Sequence, residues 1–230
     1  MSIQHDHDPS VATPERLGIG MRLSVHPHCD SFEEAILGAL SDVAATGLGD
    51  DLVVETDEVS TYVGALGEPA EQRLATFAVA LIAAAHRRCG QGHVVAHLLF
   101  SRGCPGEVTC NLEKTGLPTP VPIDLEATGI HAAAQWSLYP LMDGSSDGGD
   151  HMAHIEAAIE SAKARGVAAS ANHYVTKLTG DLGEVVATAV DAWAQVGAVV
   201  PHVVTHLSVS VASPSVAAST SAVSTEGTTR

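Results

Sequence analysis

The feature that most constrains this chain is that it repeats itself. MRLSVHPH at 21–28 is matched by AQWSLYPL at 134–141, which aligns Ser24 with Ser137 and Pro27 with Pro140 at an offset of 113 positions. HVVAH at 93–97 is matched by HVVTH at 202–206, four letters in five, at an offset of 109. The loop CGQG at 89–92 is extra in the first copy and accounts for the change of offset. A long-period repeat means one structural unit used twice, so the 230 residues divide into two units of roughly 100 residues each rather than one medium domain.

Each copy resolves into the same elements. The opening segment alternates apolar and polar residues and stops at a proline, which predicts a strand running into a turn. SFEEAILGALSDVAAT follows as a helix, with Asp30 or Ser31 as N-cap, an apolar stripe of Ile36, Leu37, Leu40 and Val43, and Gly47 as its end. DLVVETDEV and STYVGAL read as two short, nearly adjacent strands, the stretch 69–88 as a second helix opening on Pro69, and HVVAHLLFS as the last strand. In the second copy QWSLYP, MAHIEAAIESAKARG, a strand near Val167, NHYVTKLTG, GEVVATAVDAWAQVG and PHVVTHLSVSV repeat the order. The fold class is therefore α+β, a tandem of two βαββαβ units whose antiparallel sheets are covered by helices on one face. Residues 1–18 form an arm, 19–112 the first repeat, 113–130 a linker, 131–212 the second repeat and 213–230 a Ser/Thr-rich tail. The polar arm and tail are expected to be disordered. Val94, Ala96, Leu98 and Phe100 form an apolar row, assigned to the uncovered face, so the two sheets are expected to pack face to face, within the chain or across a dimer.

Charge narrows the partners. Twenty-seven Asp and Glu against eleven Lys and Arg give a formal charge of −16 with histidine neutral, which argues against a nucleic-acid backbone and favours a small cation. No run of eighteen apolar residues occurs and the first residues lack a basic flank and an apolar core, so neither a membrane span nor a secretory signal is read. The four cysteines, Cys29, Cys89, Cys104 and Cys110, contain no CxxC pair. They are read as free thiols of a cytoplasmic protein.

Several residues carry chemistry. His93 and His97 share a strand face, as do His202 and His206, but four positions along a strand is about 13 Å, too far for one zinc ion. They are read as strand-start caps or as hydrogen-bonded groups near a pocket. His26, His28 and Cys29 offer a transition-metal set present in one half only, since Tyr139 and Leu141 stand at the matching positions. Glu55 and Asp57 alternate onto one face, either as an ordinary wet strand or as carboxylates that would hold an amine or aminopyrimidine. Ser24 and Ser137 are small hydroxyls inside apolar strands, read as satisfied core groups or ligand contacts. SRGCPG at 101–106 reads as a tight turn, with no base evident for Cys104. Phosphate loops, HExxH and GxSxG settings are absent from the sequence, and no basic cluster lies near these motifs, so phosphorylated ligands are expected to bind worse.

SVHPHCDSFEEAILGAL, VVETDEVSTYVG and HVVAHLLFSRGCPG in the first half, with QWSLYPLMD, HYVTKLTGD and HVVTHLSVS in the second, resemble the YkoF-like thiamine and hydroxymethylpyrimidine binding family over residues 18–212. The resemblance implies two ferredoxin-like domains, a cytoplasmic homodimer, and binding without catalysis. It also implies thiamine or hydroxymethylpyrimidine as bound ligand, with no further cofactor, and an association with a vitamin transport or salvage system. By this resemblance Ser24, Thr56, Asp57, Ser60, Thr61 and His97 line the first pocket, and Ser137, Tyr139, His173, Tyr174 and His206 the second. His26 stands where the family prefers Tyr, and at constant offset Ser170 stands where the first half has Asp57. The competing expectations are a metal-binding protein using His26, His28 and Cys29, an enzyme acting on a related heterocycle, and a structural dimer with closed clefts.

Overall fold

A computed structural model describes residues 13–103, 117–141, 151–165 and 167–215. Cys104, read as a turn cysteine, Cys110, most of the arm and most of the tail lie outside the described residues.

The first half runs β1 (Gly20–Pro27), α1 (Phe32–Ala45), β2 (Leu52–Thr56), β3 (Thr61–Ala65), α2 (Ala70–Arg88) and β4 (Val94–Arg102). The second runs β5 (His131–Leu141), α3 (His151–Ala164), β6 (Ala168–Asn172), β7 (Val175–Asp181), α4 (Leu182–Gly197) and β8 (His202–Val211). All eight strands form one antiparallel sheet in the order β2-β3-β1-β4-β8-β5-β7-β6. The two halves therefore join edge to edge through β4 and β8, rather than face to face as the sequence led us to expect. The reason lies in which face the helices cover. Val94, Ala96, Leu98 and Phe100 are fully buried on the side where α2 and α4 pack, so the apolar row needs no second sheet. The uncovered face carries the alternate residues Val95, His97, Leu99 and Ser101, a mixed surface.

Local details follow from the same burial. Helix α1 turns Ala35, Ala39 and Val43 inward, with Ile36 and Leu40 partly covered, while Leu37, placed in the stripe from its hydrophobicity, is exposed. Small residues on that line let α1 lie close to α2. Helix α4 is capped by Asp181, whose carboxylate accepts the Gly183 N–H at 2.8 Å and the N–H groups of Thr128 and Gly129. The segment leading into β5 is fixed to the helix at that cap.

Side chains also cross between the halves on the helix side. Phe100 of β4 meets Trp193 of α4 at 5.5 Å between ring centroids, and the Trp193 indole N–H donates to the Val203 carbonyl at 3.0 Å. Arg102, at the end of β4, is fully buried and ion-paired with the equally buried Glu71 of α2, and it also donates to the Pro118 and Gly197 carbonyls. Three segments thus converge on the guanidinium of a fourth. Gly103 follows with φ +93°, and a Cβ there would collide with the Pro201 carbonyl, so only glycine fits this exit from the strand. Removing one member of a buried ion pair strands the other charge. Glu71→Ala should cost about 3–5 kcal/mol and lower the urea midpoint, while Glu71→Leu combined with Arg102→Met recovers most of the loss.

Candidate functional site

The chemistry collects on the open face. Alternation turns Arg22, Ser24 and His26 of β1 away from the helices, and likewise Gln135, Ser137 and Tyr139 of β5 and His206, Ser208 and Ser210 of β8. Backbone register sets Ser24 opposite His97 and Ser137 opposite His206. A hydroxyl thus stands beside an imidazole in each half.

The seam brings the two sets together. Leu98 faces Leu207, His97 faces Ser208 and Leu99 faces His206. Since Leu98 and Leu207 are themselves repeat equivalents, a local two-fold axis passes through that pair. His97 and His206 stack across it, 6.2 Å apart and 6° from parallel. His26 meets His97 edge-on at 5.6 Å, and its Nε2 shares a hydrogen bond with Ser24 Oγ at 3.0 Å. His28 stacks on His93 at 4.5 Å. Two further hydrogen bonds cross the seam at 3.0 Å each, His97 Nδ1 with Ser208 Oγ and His93 Nε2 with Ser210 Oγ. Burial lowers the pKa of His26, His93 and His206, and neighbouring imidazoles push the same way, His97 and His28 on His26, His28 on His93, and His97 on His206. These three rings favour the neutral form.

Of the first set of predicted residues, Ser24, Ser60, Asp57 and His97 come together. Asp57 closes the β2–β3 turn, its Oδ1 accepting the N–H groups of Val59 and Ser60 at 2.8 Å. Its Oδ2 pairs with Arg22 at 2.8 Å, and Arg22 also donates to Ser60 Oγ at 3.0 Å. The Ser60 and Val59 N–H groups and the Arg22 guanidinium hold the Asp57 carboxyl at about 2. This carboxylate is already engaged on both oxygens. Thr56 and Thr61 lie apart from the others: they are register partners bonded to one another at 3.0 Å, and they occupy the helix-side positions of β2 and β3, in line with Val54 and Val63.

In the second set Ser137, His206 and Tyr139 share the open face, with Tyr139 half exposed. His173 and Tyr174 sit in the β6–β7 turn, where Tyr174 is fully exposed at φ +64°. Strand β7 begins at Val175, later than the sequence reading of NHYVTKLTG as one strand. The register also relocates the counterpart of Asp57. Thr56 pairs with Thr61 as Ala171 pairs with Thr176, so Asn172, not Ser170, matches Asp57. The second half is two residues longer than the first between its opening strand and this hairpin, which shifts the constant-offset alignment.

Arg22, Tyr62, Gln135, Lys177 and Ser208 belong to this face and were not singled out from the sequence. The signal for Arg22 was present, since it alternates with Ser24 and His26 in MRLSVHPH. The metal set did not assemble: no group of three or more metal-binding side chains occurs among the described residues, and His28 is stacked on His93. Cys29 instead meets Cys89, whose thiol is pushed up to about 11 by burial and by Cys29. No helix among the described residues is long and apolar enough to cross a membrane.

Comparison with known proteins agrees with the resemblance carried by these motifs. Residues 131–216, the second half from β5 to just past β8, match the model of the YKOF-related family. The chain is also similar to the "Putative HMP/thiamine-binding protein YkoF" of Bacillus subtilis (strain 168), with 26% identity over 198 residues, 85% of this chain and 91% of that protein.

The histidine array makes stability depend on pH. Because the folded-state pKa values of His26, His93 and His206 lie below the ordinary value of 6.5, the unfolded chain binds more protons in the window just below 6.5. Stability is full above that value and falls as pH drops through it toward the folded-state values. Urea denaturation at pH 7.5 and 5.5 should show a lower midpoint at 5.5, and His97→Gln, which removes a neighbouring imidazole from His26 and His206, should narrow the difference.

Proposed function

We propose that this chain binds thiamine or its hydroxymethylpyrimidine moiety on the open face of the sheet, one site in each half, without chemical change to the ligand. The observation that carries this reading is the recurrence of a serine and histidine as register partners, Ser24 with His97 and Ser137 with His206, on the same face in both halves. A hydroxyl and an imidazole together offer both a donor and an acceptor to the edge of an aminopyrimidine. Imidazole rings and the exposed Tyr139 supply flat surfaces for the ring face. Similarity to a protein named for binding hydroxymethylpyrimidine and thiamine supports the same ligand class.

In this reading each half is a ferredoxin-like unit, and the protein works in the cytoplasm in the uptake or salvage of the vitamin. Asp57 acts by fixing the turn and Arg22 rather than by receiving the ligand amine, because its oxygens are already taken. A homodimer formed through the open faces would enclose sites that are otherwise broad and wet, and enclosure is where affinity for a small heterocycle arises.

Calorimetric titration with thiamine and with hydroxymethylpyrimidine tests the reading. Saturable binding at one or two sites per chain is expected. His97→Ala and His206→Ala should each weaken the site in their own half by about 1–1.5 kcal/mol, on the order of tenfold. Absence of both heat and thermal shift with either compound would overturn it.

A further inference from the structure

The two halves share a scaffold but not a site. In the first half, Arg22 occupies the open face beside Ser24: it is paired with Asp57, bonded to Ser60, and lies with its guanidinium carbon 5.9 Å from the centroid of the Tyr62 ring. The register identifies the counterparts in the second half. Gln135 pairs with Lys177 as Arg22 pairs with Tyr62, and Asn172 takes the place of Asp57. An arginine–carboxylate pair laid on an aromatic ring has become two amides and a lysine. Where the first half has this exposed ion pair, the second has a cavity of about 330 Å³ lined by Gln135, Asn172, Lys177, Ser208 and Ser210 together with small apolar groups.

The cavity is rich in donors and has no acid. None of its lining residues is Asp or Glu. Gln135 and Lys177 have no side-chain partner among the described residues, and Asn172 uses its Oδ1 to accept the His173 N–H, which leaves its NH₂ to offer. The two serine hydroxyls are oriented from the other half, Ser208 by His97 and Ser210 by His93, so the cavity is built across the seam. It lies one step along β5 and β8 from Ser137 and His206. The counterpart of Ser208 in the first half is Leu99, which could not serve the same purpose.

We infer that this cavity receives an anionic substituent, a phosphomonoester, carried by a heterocycle held at Ser137 and His206, so that the second half prefers the phosphorylated ligand and the first half does not. An ammonium, two amide donors and two pre-oriented hydroxyls match the oxygens of such a group, and charge-assisted bonds of this kind are the strong ones. The sequence reading expected phosphorylated ligands to bind worse because no basic cluster adjoins the motifs. Strand pairing supplies the lysine from a position that spacing did not connect to them. The inference rests on the heterocycle-binding function proposed above and adds to it a difference between the halves.

The test compares hydroxymethylpyrimidine with its phosphomonoester by calorimetry on the full chain and on Lys177→Met and Gln135→Glu. For the unaltered protein one site per chain should bind the ester more tightly than the alcohol. Each substitution should reduce the ratio of ester to alcohol affinity by on the order of tenfold, because one removes the ammonium and the other adds a carboxylate. Alcohol binding with no preference for the ester, or a preference unchanged in both variants, would overturn the inference while leaving the proposed function standing. Failure of both compounds to bind would remove both.

Discussion

The pairing of β4 with β8 is the interaction on which the rest of the molecule depends. It runs over nine register pairs, from Val94 with Val211 to Arg102 with Val203, and turns two four-stranded units into one sheet. Helices then share a single side, α2 can touch α4, and one hydrophobic core extends under both halves. The same pairing sets the local two-fold axis at Leu98 and Leu207. Without that register His97 would not stack on His206, and no serine of the second half would lie within reach of a histidine of the first. Phe100 against Trp193 and the buried Arg102 then fasten the seam from the helix side.

Matching register in the two halves sets side chains of the open face in corresponding positions, and the differences between them are as informative as the identities. Ser24 with Ser137 and His97 with His206 are kept, while Arg22 with Gln135, Asp57 with Asn172, Tyr62 with Lys177 and His26 with Tyr139 have diverged. The kept pairs are the hydrogen-bonding groups nearest the axis. The diverged ones surround them and decide how much space remains and what charge it carries. An overall charge of −16 says little about such a place, because the charges that matter are the few within bonding reach of a ligand.

Much of this was readable from the residues. Period-two alternation located β1, β4, β5 and β8 and put the paired histidines on a common face, and the matching of HVVAH with HVVTH announced the two-fold relation. The strand order did not follow from the pattern, because a fully apolar row looks the same whether helices or a second sheet cover it. That ambiguity produced the expectation of stacked sheets. Thr56 and Thr61 were grouped with Ser60 and Asp57 by the family resemblance of that segment, while strand alternation sends the two threonines toward the helices. Lys177 and Gln135 became partners only through hydrogen-bond register, which no local spacing encodes. Asn172 was missed because a fixed offset cannot follow a two-residue change in length between elements.

Fusing the sheets at β4 and β8 leaves two free edges in place of four. These are β2 and β6, five residues each, and β2 presents Glu55 near its end. Short edges, one of them bearing a charge, are poor templates for adding further strands. Growth into open-ended ribbons by lateral strand addition is thereby discouraged, which leaves the broad face to the homodimer proposed above. Contacts of that kind about a two-fold axis are self-limiting. The seam that unites the halves thus also biases the protein toward assemblies that close rather than fibres that extend.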